Sequence, residues 1–238
     1  MAGMASIVEN ISDVQQQILA FIKQQGETTN AAIAKELNVS YEAVRQQLRQ
    51  LEAAQLVVSA KKQTKDQRVG RPTRVYALST AGDHLFPKAY DELAVRLIDT
   101  MAAALGPEAL RQVLASLTDE NVHQWAPHMQ NKSLPERLEV LKGIYLEEDP
   151  YMEAGQDQGS GDLRLVEQNC PFLNVALRRP ALCSVTISTL SRLLGHAVTR
   201  EKRFQDGDGR CVFRVHLDRP IDADAFRFAF EAETNHSS

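Results

Sequence analysis

No apolar stretch in these 238 residues approaches the roughly 20 needed to cross a bilayer, which excludes a membrane-spanning protein and predicts no membrane partner. The first ten residues, Met1 to Asn10, lack the basic and apolar regions of a secretory signal, so the expectation is a cytoplasmic chain with reduced thiols. Cysteine is scarce. There are three, an odd number that argues against a disulfide framework, and no CxxC pair from which to build a zinc ribbon. A nucleophile-and-base motif, a dinucleotide fingerprint and a phosphate loop are also missing, so the chain is not read as an enzyme. What is there is ordinary for a globular protein: 43% hydrophobic and 24% charged residues, in a length that suits a small head plus a second domain.

The net charge of -4 conceals an uneven distribution. Met1 to Thr80 hold ten Lys+Arg against seven Asp+Glu, or +3, which leaves 17 against 24, or -7, for the remainder. Between Arg45 and Arg74 eight basic residues face only Glu52 and Asp66, a local charge of +6. Phosphate contact depends on such local excess rather than on the total.

Helical spacing accompanies that charge. Ile11, Val14, Ile18 and Ile22 predict a first helix that stops at Gly26. Thr28 and Thr29 can cap a short second helix bearing Ile33, Ala34 and Leu37. After the brief turn Asn38 to Ser40, Ser40 caps a third helix with Glu42 in its first turn and Val44, Leu48 and Leu51 as its buried stripe. Two helices joined so tightly, the second presenting Tyr41, Arg45, Gln46 and Arg49 away from its apolar side, fit a helix-turn-helix with a recognition helix. Leu56 to Ala60 and Arg74 to Leu78 read as two strands around a basic wing, Lys61 to Thr73, turning at Gly70-Arg71-Pro72. The expected DNA-contacting set is Ser40, Tyr41, Arg45, Gln46, Arg49, Lys61, Lys62, Arg68, Arg71 and Arg74. The run from Gly70 to Ser79, followed by Ala81-Gly82, resembles the wing of regulators in the broad DeoR and ArsR winged-helix group.

Phe86, Tyr90, Leu93, Leu97, Met101 and Leu105 keep a three-to-four residue rhythm and predict a long helix that pairs with its counterpart in a second chain. Leu110, Val113, Leu114 and Leu117 predict another helix, Thr118 to Ser133 a polar connection, and Leu138, Leu141 and Tyr145 a third helix. Beyond Pro150, Gly155 to Gly161 reads as a turn. Leu163 to Val166, Val198 to Phe204 and Arg210 to Leu217 read as strands, and Pro171 to Leu177 and Ser184 to Leu194 as helices. Phe226, Phe228 and Phe230 alternate as an edge strand would. The expected fold is therefore mixed α and β. It comprises a winged helix-turn-helix head (1–82), a helical dimerisation region (83–149) and a small α+β domain with an antiparallel sheet (150–238).

Cys170, Cys183 and Cys211 all fall in this last domain, each at an element boundary where rigid backbone can aim thiolates at a common point. Taken alone, such cysteines are commonly small buried hydrophobes. The pattern Asn169-Cys170-Pro171-Phe172, Pro180-Ala181-Leu182-Cys183, Leu193-Leu194-Gly195 and Gly207-Asp208-Gly209-Arg210-Cys211 is similar to the family of repressors of the suf iron–sulfur assembly operon. That resemblance implies a homodimeric repressor of cluster-assembly genes on a palindromic double-stranded operator. It also implies an iron–sulfur cluster, of the 4Fe–4S or the 2Fe–2S type, on Cys170, Cys183 and Cys211, for which thiolates are suitable donors. Cyanobacterial members carry a fourth cysteine where His196 stands here, after allowance for a one-residue gap. Either His196 is the fourth ligand or that position is held by water, a small molecule or another side chain, with His216, Asp206 and Asp208 as weaker candidates. The alternative function is a winged-helix regulator whose last domain takes a small organic effector or a structural zinc.

Overall fold

The computed structural model describes residues 11–62, 73–146, 148–157, 159 and 161–231. The expected wing tip at 70–72, with Arg68 and Arg71, lies outside the described residues. The chain divides into two units, Met1–Lys88 and Ala89–Ser238.

In the first unit, α1 (Asp13–Gln25) opens with a capping box. Ser12 Oγ accepts from the Gln15 amide while Gln15 Oε1 accepts from the Ser12 amide, so two otherwise unpaired donors are satisfied. The helix closes at Gly26, whose φ of +74° favours glycine. A short strand, β1 (Glu27–Thr29), leads to α2 (Asn30–Glu36), capped by Thr29, and then through Asn38 to α3 (Tyr41–Ala53), capped by Ser40. β2 (Val57–Lys62) and β3 (Thr73–Leu78) pair antiparallel, and β1 adds to the other edge of β3. Ile18, Ile22, Ile33, Val44, Leu48 and Leu51 are almost fully buried and form the core, each contributing about 1.5 to 3 kcal/mol by burial. After β3, the one-turn helix α4 (Thr80–Asp83) returns against the Leu56 backbone so closely that a Cβ on Gly82 would meet Leu56 O at 2.0 Å.

The second unit begins with α5 (Tyr90–Leu105) and α6 (Pro107–Trp125), separated by Gly106 at φ +85°. The long helix thus starts at Tyr90, not at Phe86. Phe86 precedes Pro87, whose ring disfavours the helical conformation in the residue before it, and Phe86 packs on the core of the first unit. The expected polar connection after Leu117 is instead more helix, since α6 runs to Trp125 and a 3-10 turn continues to Met129. Thr118, Val122, Trp125 and Met129 recur at helical spacing: Thr118 is fully buried with its hydroxyl on the Leu114 carbonyl, and the other three pack on the main core. α7 (Leu134–Tyr145) adds Leu138 and Leu141.

An antiparallel four-stranded sheet follows in the order β4 (Glu153–Gln156), β5 (Leu163–Glu167), β7 (Cys211–Pro220), β6 (His196–Lys202). β4 takes in Gly155, where only a turn is expected from the sequence. Between β5 and β6 lie α8 (Leu173–Arg178) and α9 (Cys183–Leu194), the latter ended by Gly195 in the left-handed conformation. Leu163, Leu165, Phe213, Val215, Leu190 and Leu193 join the sheet to α9. The phenylalanine-rich stretch 226–230 makes no edge strand. It lies along α9, where Ser188 Oγ bonds Ala229 and Ser184 Oγ accepts from the Glu231 amide, and Phe228 is buried with Leu114 and Val185.

Candidate nucleic-acid interface and thiol-lined cavity

Two sites stand out, one in each unit. In the first, burial of Val44, Leu48 and Leu51 turns the opposite face of α3 to solvent, and with it Tyr41, Gln46 and Arg49. A groove runs from this helix to the strand pair, lined by Tyr41, Arg45, Arg49, Lys61, Arg74 and Tyr76 among others. Residues far apart in sequence thus form one basic surface. Ser40, also solvent-exposed, is occupied as the cap of α3, its Oγ 3.2 Å from the Ala43 amide. Arg45 reaches back to Glu42 at 2.6 Å, an exposed pair worth little on its own.

Arg74 is more firmly held. Its guanidinium bonds Glu52 and Ser59 Oγ, both at 2.8 Å, and lies over the Tyr76 ring. Lys62 pairs with Glu27 on the other edge of the sheet. Arg49 and Lys61 make no ion pair among the described residues and are the cations readiest for an external anion.

In the second unit, Cys170, Cys183 and Cys211 come from a loop, a helix start and a strand start and line a single cavity of about 330 Å³. Each is placed by a different device. Cys170 follows a loop clamped by buried Asp149, whose carboxylate accepts from the amides of Gln168 at 2.5 Å and Asn169 at 3.1 Å. Cys183 opens α9 after the break at Pro180. Cys211 opens β7 on the inward face shared with Phe213 and Val215, as strand alternation predicts.

Burial dominates the acidity of Cys170 and Cys211. It pushes Cys170 up to about 12, with the Glu167 carboxylate adding to the effect, and Cys211 up to about 11 against the opposing hydrogen bond from the Phe204 backbone. Both are therefore thiols at neutral pH unless a cation draws off the proton. Donors already converge on sulfur: Gln205 Nε2 lies 3.1 Å from Cys183 Sγ, and Arg200 Nη1 3.7 Å from Cys211 Sγ. Arg200 is itself buried, and its fork is also gripped by Glu231.

Glu167 is a cavity residue that the sequence reading does not single out. It is buried on the cavity wall, and the loss of water raises its carboxyl to about 7 even though the Cys211 thiol donates to it. A signal existed in the strand period. Leu163 and Leu165 mark the inward face of β5, and the next residue on that face is Glu167.

His196 is not at this cavity. It begins β6 opposite Pro220, with Nδ1 3.0 Å from the Leu194 carbonyl oxygen, and the strand brings Arg200 to the cavity instead. Among the described residues no three His, Cys, Asp or Glu side chains are gathered closely enough to hold a single metal ion. Nor is any helix of the described residues long and apolar enough to cross a membrane.

A family model described as winged helix-turn-helix DNA-binding matches residues 11–58, which cover α1 to α3 and the start of β2. Searches of curated proteins and of solved structures found no match to the chain. The match and the basic groove agree: the amino-terminal unit is a winged helix-turn-helix DNA-binding domain, a module suited to a transcriptional regulator.

Proposed function

We propose that the chain is a homodimeric transcriptional regulator that represses iron–sulfur assembly genes and senses cluster supply through Cys170, Cys183 and Cys211. The observation that carries this reading is the meeting of three thiols, from three separate elements, on one cavity. The donor set fits an iron–sulfur cluster. Thiolate sulfur is the ordinary cluster ligand, Gln205 and Arg200 aim N–H groups at sulfur, and Gln205 Oε1 is buried at the cavity without a partner among the described residues. Zinc fits less well, because about 2.3 Å from metal to each sulfur requires thiolates packed around one point. An iron–sulfur cluster would spread its thiolate ligands over more than one iron and so suits more widely spaced sulfurs.

A bound cluster would supply iron and sulfide that oxidants or iron shortage remove. The chain's part is to hold it. Cys170 and Cys211 must surrender protons against the burial that now retains them, and Arg200 provides the compensating charge. Dimerisation rests on α5, whose Tyr90, Leu93, Leu97 and Leu105 are all more than half exposed although apolar. A dimer sets the spacing of two recognition helices, and with it affinity for a palindrome. One further observation favours a second reading, a small organic effector: Trp125, Phe172, Leu173 and Phe213 give the cavity apolar walls.

Anaerobic purification with iron, sulfide and zinc analysis and a visible spectrum separates the readings. The expected result is a brown protein with matched iron and sulfide, lost in Cys170→Ser, Cys183→Ser and Cys211→Ser. A colourless protein containing zinc, or neither metal, contradicts the cluster reading.

A further inference from the structure

Glu167 is an acid in an expensive place. It is 8% exposed and makes no ion pair among the described residues. Arg200, the one cation lining the cavity among the described residues, has its guanidinium fork on Glu231. A carboxylate taken out of water without a counter-ion costs several kcal/mol, which either protonation or coordination to a metal offsets. The register explains why the side chain belongs to the thiol set. β5 and β7 pair antiparallel with Glu167 directly opposite Cys211, and such neighbours put their Cβ atoms about 4.5 to 5.5 Å apart on the same face. Cys170 follows three residues later in the loop fixed by Asp149. Glu167 and the three cysteines line the same cavity, and His196 does not.

We propose that Glu167 supplies the fourth protein ligand, a carboxylate oxygen, to the cluster held by Cys170, Cys183 and Cys211. This rests on the cluster reading above. One iron then has a hard oxygen donor while the other three have thiolates, so it is the most weakly held of the four and the first to leave. A sensor gains a defined point of loss, next to the strand that carries Cys211 and to the Arg200–Glu231 pair.

The test is anaerobic reconstitution of the full chain with ferrous iron and sulfide, for the parent and for Glu167→Gln, Glu167→Ala, Glu167→Cys, His196→Ala and Cys211→Ser. Iron and sulfide are measured per chain, with visible spectra and electron paramagnetic resonance after one equivalent of ferricyanide. Glu167→Gln and Glu167→Ala are expected to hold about three irons and to give a three-iron signal several-fold stronger than the parent's. Glu167→Cys should regain the fourth iron with stronger thiolate-to-iron absorption and slower loss to chelator, and His196→Ala should match the parent. Should Glu167→Ala fail to fold, the glutamine and cysteine variants carry the test. The proposal is overturned if the Glu167 variants equal the parent in iron content, spectrum and oxidation while Cys211→Ser loses its cluster, a result that leaves the cluster reading intact. A parent protein that takes up neither iron nor sulfide overturns both.

Discussion

The two units place their chemistry on opposite sides of their surfaces. In the head, the core is closed by apolar side chains, with Thr28 and Asn30 as buried polar residues beside them, and the residues expected to contact DNA, Tyr41, Arg45, Gln46, Arg49 and Lys61, stand outside it in or near water. In the carboxy-terminal unit the polar groups of interest, Cys170, Cys183, Cys211, Glu167 and Arg200, line an interior cavity, where burial shifts the acidities of most of them. The difference separates two ways of being functional. An outward site reads charge that arrives from solution and costs the fold little. An inward site holds together groups that water would otherwise solvate, and its cost falls on the fold.

The largest expected effect comes from disturbing the closed core of the head. Gly82→Ala drives a methyl into the Leu56 carbonyl, which should cost about 3 to 4 kcal/mol. Thermal unfolding followed by calorimetry should show the head transition lowered and that of the carboxy-terminal unit unchanged. If Gly82→Ala leaves the melt unaltered, the close approach of α4 to Leu56 is misplaced.

Next comes the inward site without its ligand. The Glu167 carboxyl stands at about 7 against an ordinary 4.5, because of burial first and of Asp149 and Glu148 after that, opposed by the Cys211 thiol and Arg200. Its folded-state value is raised, so this contribution to stability is fully present below about 4.5 and is lost as pH rises through about 7. The loss amounts to roughly 3 kcal/mol at about 1.36 kcal/mol per unit. Urea melts of metal-free protein should therefore weaken between pH 4.5 and 7.5, and Glu167→Gln should flatten that dependence. An identical slope in parent and variant would assign it elsewhere.

The outward site gives the smallest and most graded effects. Arg49→Ala or Gln46→Ala should cost about 1 to 3 kcal/mol on the preferred sequence and relax preference at particular base pairs. Lys61→Ala should weaken all DNA alike and reduce the salt slope by about 1, since a phosphate contact releases a counterion. Fluorescence titrations at several salt concentrations distinguish them. Equal losses on specific and random DNA for the α3 variants would move the reading face away from this helix.

Legibility followed the same division. α1 to α3 were readable from their stripes, which include Ile18, Ile33 and Val44, and from Gly26 after α1 and the caps Thr29 and Ser40 before α2 and α3; the Ser12 cap of α1 emerges only in the structure. The strands β5, β6 and β7 and the helix α9 were readable from their periods and from Gly195. The extension of α6 to Trp125 was not, because its buried positions include Thr118, a polar residue satisfied by the helix's own Leu114 carbonyl. The stretch 226–230 alternates like a strand yet finds its partners in the serines of α9. For the cavity, strand alternation places Cys211 on the inward face of β7 and Glu167 on that of β5, whereas their meeting across the β5–β7 register is a non-local fact that no window of sequence contains. His196 stands next to the cysteines in sequence, but its ring is bound to Leu194 at the start of β6.

In the regulator proposed above, the state of the thiol-lined cavity would control DNA binding by the head. The most direct measurement is DNA affinity of one anaerobic preparation, before and after its iron is removed by chelator, on an operator selected from random duplexes. The account predicts that the cluster-loaded dimer binds the selected palindrome at least tenfold more tightly than the stripped protein, with binding to random DNA unchanged. Equal affinity of the two forms for the selected operator would contradict it.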